Sequence, residues 1–98
     1  MATRTLKPHA ATKAIRLTCQ APSSAQRVAL VGEFNGWSRT AHPMRRKRDG
    51  SWEANLRLAP GRYEYKFLIN DVEWLADPTA ARSVANPFGN TNSVLEVG

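Results

Sequence analysis

Three carboxyl groups, Asp71, Glu73 and Asp77, form the only local acidic cluster in this sequence. Glycosidic hydrolysis would need two of them about 5–5.5 Å apart, or about 6.5–9.5 Å apart, with one pKa raised by apolar surroundings. Nothing apolar beside this trio supplies such surroundings, so charged turn residues explain it more simply. Cys19 is the single cysteine, which excludes an internal disulfide. It shares a strand face with Ile15 and Leu17 and reads as a packed thiol, not a nucleophile. His9 and His42 lack partners at metal-ligand spacing. No glycine-rich phosphate loop occurs. No catalytic residue, metal or cofactor is therefore expected, and the chain is not read as an enzyme.

The basic run Arg45-Arg46-Lys47-Arg48 raises a second chemistry, phosphate-backbone binding. Its placement argues against that. Of a net charge of +6, residues 1–13 contribute +3 and residues 39–50 contribute +4, leaving the remainder at −1. The excess sits in a tail and a loop, so a nucleic-acid partner is not expected. Contact with a phosphorylated polymer or an acidic partner protein is a milder role for the run.

The elements that must position these groups follow a period of two. Ile15, Leu17 and Cys19 alternate with Arg16 and Thr18, and Ala21-Pro22-Ser23-Ser24 ends that strand. Val28-Ala29-Leu30-Val31 has the form of a strand covered on both faces, and Asn35-Gly36 marks a tight turn. Residues 38–50, with Pro43 and Asp49-Gly50, read as loop. Trp52, Ala54, Leu56 and Leu58 alternate with polar residues, as do Tyr63, Tyr65, Phe67 and Ile69. With Pro60-Gly61 between them, these two runs predict a hairpin, and Trp52 belongs to the core. A short strand surrounds Glu73-Trp74-Leu75, residues 77–89 read as loop, and Ser93 to Val97 forms a last strand.

Short strands with frequent turns and no helical period indicate an all-β antiparallel sandwich. Ninety-eight residues suffice for one domain, here residues 13–98, preceded by a flexible tail over 1–12. A hydrophobic fraction of 42% builds one core but no deep enclosed cavity, so a shallow surface site is expected. The start MATRTLKPHAATK lacks a secretory apolar stretch, and no segment approaches the roughly 20 apolar residues of a membrane span. The expectation is a cytoplasmic protein without a membrane partner. Edge strands leave self-association open.

Val28-Ala29-Leu30-Val31-Gly32-Glu33-Phe34-Asn35-Gly36-Trp37 carries a specific resemblance. It continues through Leu58-Ala59-Pro60-Gly61, Tyr63-Glu64-Tyr65-Lys66-Phe67, Trp74-Leu75-Ala76-Asp77-Pro78 and Gly89-Asn90-Thr91-Asn92-Ser93. In order and spacing these resemble the family 48 carbohydrate-binding modules. That family includes the glycogen-binding domain of the AMP-activated protein kinase β-subunit and N-terminal domains of isoamylases, pullulanases and branching enzymes. The resemblance implies an immunoglobulin-like, early-set β-sandwich that binds glycogen- or starch-like α-1,4-glucan without cleaving it. It implies Trp37 and Trp74 as stacking platforms, Lys66 and Asn92 as hydrogen-bonding groups, and Phe88 as an apolar contact. Phe88 stands where kinase-type members have leucine, and Asn90 where they have threonine. The turn before Trp74 is one residue longer than the common version.

That extra residue decides the site. A two-residue loop would set Trp74 opposite Phe67, facing the core. A three-residue loop, Asn70-Asp71-Val72, sets it opposite Leu68 on the outward face shared with Lys66. The longer loop is favoured, because the shorter one exposes Glu73 while crowding the core with Trp74. For Trp37 the competing role is a core plug after the turn; for Asn92, a turn; for Phe88, a cap on the sandwich end. Indoles match the apolar face of glucose, while amide and ammonium groups match its hydroxyl rim. The alternative is an early-set module that has lost sugar binding and serves a protein partner.

Overall fold

The computed structural model describes residues 12–98. Of the expected tail, residues 1–11 lie outside the described residues. Eight strands follow: β1 (Lys13–Cys19), β2 (Val28–Gly32), β3 (Arg45–Arg46), β4 (Trp52–Leu58), β5 (Gly61–Ile69), β6 (Glu73–Leu75), β7 (Arg82–Ala85) and β8 (Thr91–Val97). They form two antiparallel sheets, one ordered β1-β4-β3 and the other β2-β5-β8-β7, with β6 also paired to β5. This is the expected all-β, early-set sandwich.

Period-two alternation decides what each sheet buries. Leu17, Cys19, Trp52, Ala54, Leu56 and Leu58 of the first sheet meet Val28, Leu30, Tyr65, Phe67, Ile69 and Val97 of the second in one core. Trp52 and Cys19 are core residues as expected. Burial pushes the Cys19 thiol up to about 11, with the charge of Asp77 adding to it, so the group stays protonated and inert. Tyr65 and Phe67 meet edge to face at 5.9 Å, a geometry that contributes about 0.5–1.5 kcal/mol beyond area burial. β2 is buried on both faces. Its Ala29 and Val31 form a second apolar patch with Leu68 on the outer side of the sheet.

Three expectations require correction. β4 and β5 do not form a hairpin: β4 pairs with β1 and β3, whereas β5 pairs with β2, β6 and β8. The primed turns of two-residue hairpins need positive φ at their first central residue, and Pro60 cannot supply it. The chain crosses between sheets there instead. Residues 38–50 are not all loop, because Arg45 and Arg46 pair with Glu53 and Trp52. Residues 77–89 likewise contain β7, hydrogen-bonded to β8. Both missed strands are short and draw their order from a neighbour rather than from their own pattern.

The acidic trio is dispersed among structural tasks. Asp71 pairs with Arg27 at 2.6 Å. Asp77 is buried and accepts from the Tyr65 hydroxyl at 2.5 Å, and Glu73 is exposed on β6. The basic run is also largely engaged. Arg45 and Lys47 reach Glu53 at 3.0 and 3.7 Å, and Arg46 lies over Trp52.

Candidate functional site

The first platform begins where β2 runs out at Gly32. A Cβ there would stand 2.7 Å from the Glu64 carbonyl oxygen, 2.7 Å from Tyr65 Cβ and 2.9 Å from the Phe34 ring, so only glycine allows this approach. A single 3-10 turn follows, Glu33–Asn35. Phe34 anchors it against Tyr63 and Tyr65, at centroid distances of 6.1 and 6.4 Å. The Asn35 amide organises the rest. Its Oδ1 accepts from the Gly32 and Ser38 amides, each at 3.2 Å. Its Nδ2 donates to the Leu30 carbonyl at 3.0 Å and lies 2.8 Å from His42 Nδ1.

This clamp forces two successive residues left-handed, Gly36 at φ 66° and Trp37 at φ 61°. Glycine adopts that conformation freely, but for a tryptophan it costs about 1–2 kcal/mol. The Trp37 amide donates to the Gly32 carbonyl at 2.8 Å, which helps to hold it. The outcome is an indole left 40% exposed. Trp37 is not a core plug.

Trp74 depends on the β5–β6 turn. Asn70 and Asp71 have φ of 52° and 64°, the hand a primed hairpin turn needs, and the Val72 amide closes it on the Ile69 carbonyl at 3.0 Å. Val72 is then a third loop residue, 79% exposed, and Ile69 faces Glu73. Leu68 consequently faces Trp74, as the longer loop requires. The Asn70 side chain ties the turn to the preceding loop, accepting from the Gln26 and Arg27 amides. Trp74 is 38% exposed, and the Arg39 guanidinium lies 5.5 Å over its ring.

Lys66 alternates with Tyr65 and Phe67 and therefore leaves the core side of β5. It is not a solvated lysine: only 7% remains exposed. Its Nζ donates to the Thr91 carbonyl at 2.6 Å and to Asn90 Oδ1 at 3.4 Å. Burial lowers its pKa below the usual lysine value. An amide network extends from there. Asn86 Nδ2 donates to Asn90 Oδ1 and to Asn92 Oδ1, and Asn92 Nδ2 donates to Glu64 Oε1 at 3.1 Å. Asn86 Oδ1 accepts from the Phe88 amide at 2.9 Å, shaping the loop that leaves Phe88 88% exposed. Phe88 is not a cap. Asn92 is buried and braces the network, its Oδ1 accepting from Asn86 and its Nδ2 donating to Glu64, with one N–H and one lone pair beyond these bonds.

The structure brings all six sequence-identified residues, Trp37, Lys66, Trp74, Phe88, Asn90 and Asn92, into one groove of about 630 Å³. Sequence reasoning missed Arg39, Asn86 and Pro87, which also line it. Asn86-Pro87 carried a turn signal but no sign of its destination. Arg39 was submerged in a basic segment, residues 38–50, read as loop. No carboxylate is among the lining residues. The arrangement offers three aromatic surfaces beside an ammonium, a guanidinium and carboxamides, which suits a ligand with a flat apolar face and a polar rim.

Comparison with known proteins gives a consistent picture. The family described as the glycogen recognition site of AMP-activated protein kinase matches residues 16–98. Protein PTST homolog 2, chloroplastic, of Arabidopsis thaliana is 38% identical over 89 residues, spanning 87% of this chain and 16% of that protein. The 1,4-alpha-glucan branching enzyme GlgB 2 of Xanthomonas campestris is 46% identical over 78 residues, spanning 76% of this chain and 11% of the enzyme. Among solved structures, maltogenic amylase from S. marinus superposes with a TM-score of 0.67 at 25% identity, over 87% of this chain and 13% of the amylase. The chain thus spans a sixth or less of these proteins.

Proposed function

The chain belongs to the glycogen-recognition family of AMP-activated protein kinase, and from that premise we propose that its groove binds glycogen- or starch-like α-1,4-glucan without cleaving it. One observation carries this reading: Trp37 and Trp74 both stand about two-fifths exposed in a single groove with the Lys66 ammonium. A glucose unit has a C–H face and a rim of hydroxyls. The indoles cover the face, and Lys66 and Asn90 address the rim. Phe88 leans toward the ligand from the far loop.

Each covered tryptophan contributes about 1–3 kcal/mol. Less the cost of ordering the glucan, the groove binds with micromolar to millimolar affinity, roughly −4 to −8 kcal/mol. Many modules on one particle turn such weak contacts into firm retention. Glycosidic hydrolysis would need a pair of carboxyl groups beside the bound glucan. The groove is lined by no carboxylate, and the sequence's acidic trio is held at Arg27, held at Tyr65 or left at a strand edge.

Electrophoresis through gels containing glycogen, amylose or no sugar tests the reading. The wild type should be slowed by the glucans, and a Trp37→Ala, Trp74→Ala double variant should run as it does without sugar. Equal mobility of wild type in all three gels would instead favour a protein-interaction module that has lost its sugar.

A further inference from the structure

The groove contains two cations without a matching anion. Lys66 is more than nine-tenths buried, yet its Nζ meets only the neutral oxygens of Thr91 and Asn90. Its lowered pKa fits a charge that burial penalises and no carboxylate relieves. Arg39 stands over Trp74, and none of the ion pairs among the described residues involves it. Glu64 is the one acid in the adjoining amide network. Its Oε1 accepts from Asn92, not from Lys66, and its Oε2 lies 3.6 Å from Arg62, while its backbone amide donates to Glu33 Oε1. Arg16, Arg45 and Lys47 lie elsewhere, sharing Glu53 on the first sheet.

A neutral polyol uses an ammonium as a hydrogen-bond donor but leaves its charge uncompensated. A phosphate monoester brings about −1.5 to −2 charges and three acceptor oxygens. Guanidinium and ammonium groups bind it through short, charge-assisted hydrogen bonds. A sugar lying against Trp74 is already beside the Arg39 guanidinium, because that group rests on the same ring. We propose that the groove prefers α-glucan carrying phosphate esters over unmodified glucan, with Arg39 and Lys66 seating the ester. The proposal rests on reading the groove as a glucan site.

Binding is measured on amylopectin bearing phosphate monoesters and on the same polymer after phosphatase treatment. The esterified polymer should bind about three- to tenfold more tightly. Arg39→Gln should bring that ratio close to one. Arg57→Gln should preserve it, since Arg57 sits on the first sheet, bonded to Thr12. Equal affinity for the two polymers overturns the proposal, as does a ratio that survives Arg39→Gln. Displacement of the esterified polymer by glucose 6-phosphate at matched ester concentration overturns it in favour of a soluble sugar phosphate. Failure of the wild type to bind either polymer defeats the glucan reading itself, whereas equal binding to both defeats only the ester preference.

Discussion

Replacing Trp74 by alanine probes the site most directly. A tryptophan offers about 250 Å² of surface, and Trp74 is 38% exposed, which leaves roughly 95 Å² open to a ligand at that scale. A sugar ring lies on one face, so about 60 Å² is covered, worth about 1.5 kcal/mol at 25 cal/mol/Å². The dissociation constant for a linear maltooligosaccharide should therefore rise about tenfold. Trp74→Phe keeps a smaller ring and should lose about half that free energy. Calorimetric titration gives the affinities, and far-UV circular dichroism confirms that each variant is folded. Trp37→Ala, from a ring of similar exposure, should weaken binding by a comparable factor. If the rings are independent platforms, the double variant loses the product of the two factors. A folded Trp74→Ala protein whose affinity falls by less than twofold would refute the argument, because 60 Å² of lost contact cannot be that cheap.

Other outcomes follow from the frame that carries the rings. Gly32→Ala inserts a Cβ within 2.7 Å of the Glu64 carbonyl oxygen and Tyr65 Cβ, and should destabilise the fold by about 1–3 kcal/mol; an unchanged melting temperature would contradict the packing at the end of β2. Glu53 has its pKa lowered first by the Arg45 hydrogen bond and then by Lys47 and Arg16. Its folded pKa is thus below its unfolded value, so its stabilisation is present above the ordinary glutamate pKa of about 4.3 and fades as pH falls through the folded value. Urea unfolding should show the stability gap between wild type and Glu53→Gln closing in acid; a gap constant from pH 7 to pH 3 would rule this out. Deleting Val72 leaves Asn70-Asp71 as a two-residue primed turn, with Leu68 still facing Trp74. Glucan retention should survive the deletion, and its loss in a folded variant would show that the bulged residue is itself required.

Much of the fold was legible because a half-buried strand writes its own alternation. β1, β4 and β5 each carry apolar residues at every second position, and β2 carries the continuous run of a strand covered on both sides. Partnership is another matter. Period two says that a segment is extended and which side is apolar, not which edge it joins, so β4 and β5 looked like neighbours across Pro60-Gly61. The proline itself held the contrary signal, since its negative φ excludes the primed turn. β3 and β7 left almost no trace. Two arginines, or Arg82-Ser83-Val84-Ala85, have no period long enough to detect, and the ladders with β4 and β8 impose their conformation.

The site divides along the same line. Where position follows from local covalent counting, the sequence was enough: one extra residue in the β5–β6 loop turns Trp74 outward, and alternation past Tyr65 takes Lys66 off the core face. The contacts that complete the groove arise between segments far apart in the chain. Arg39 reaches Trp74 across 35 positions, and Lys66 reaches Thr91 across 25. Neither side chain has a pattern that names its partner. A solvated arginine and one stacked on an indole look alike in sequence, as do an exposed lysine and one buried under a carbonyl. Only the folded loops distinguish them, and so the charge of this groove, unlike its aromatic shelf, is a property of tertiary structure.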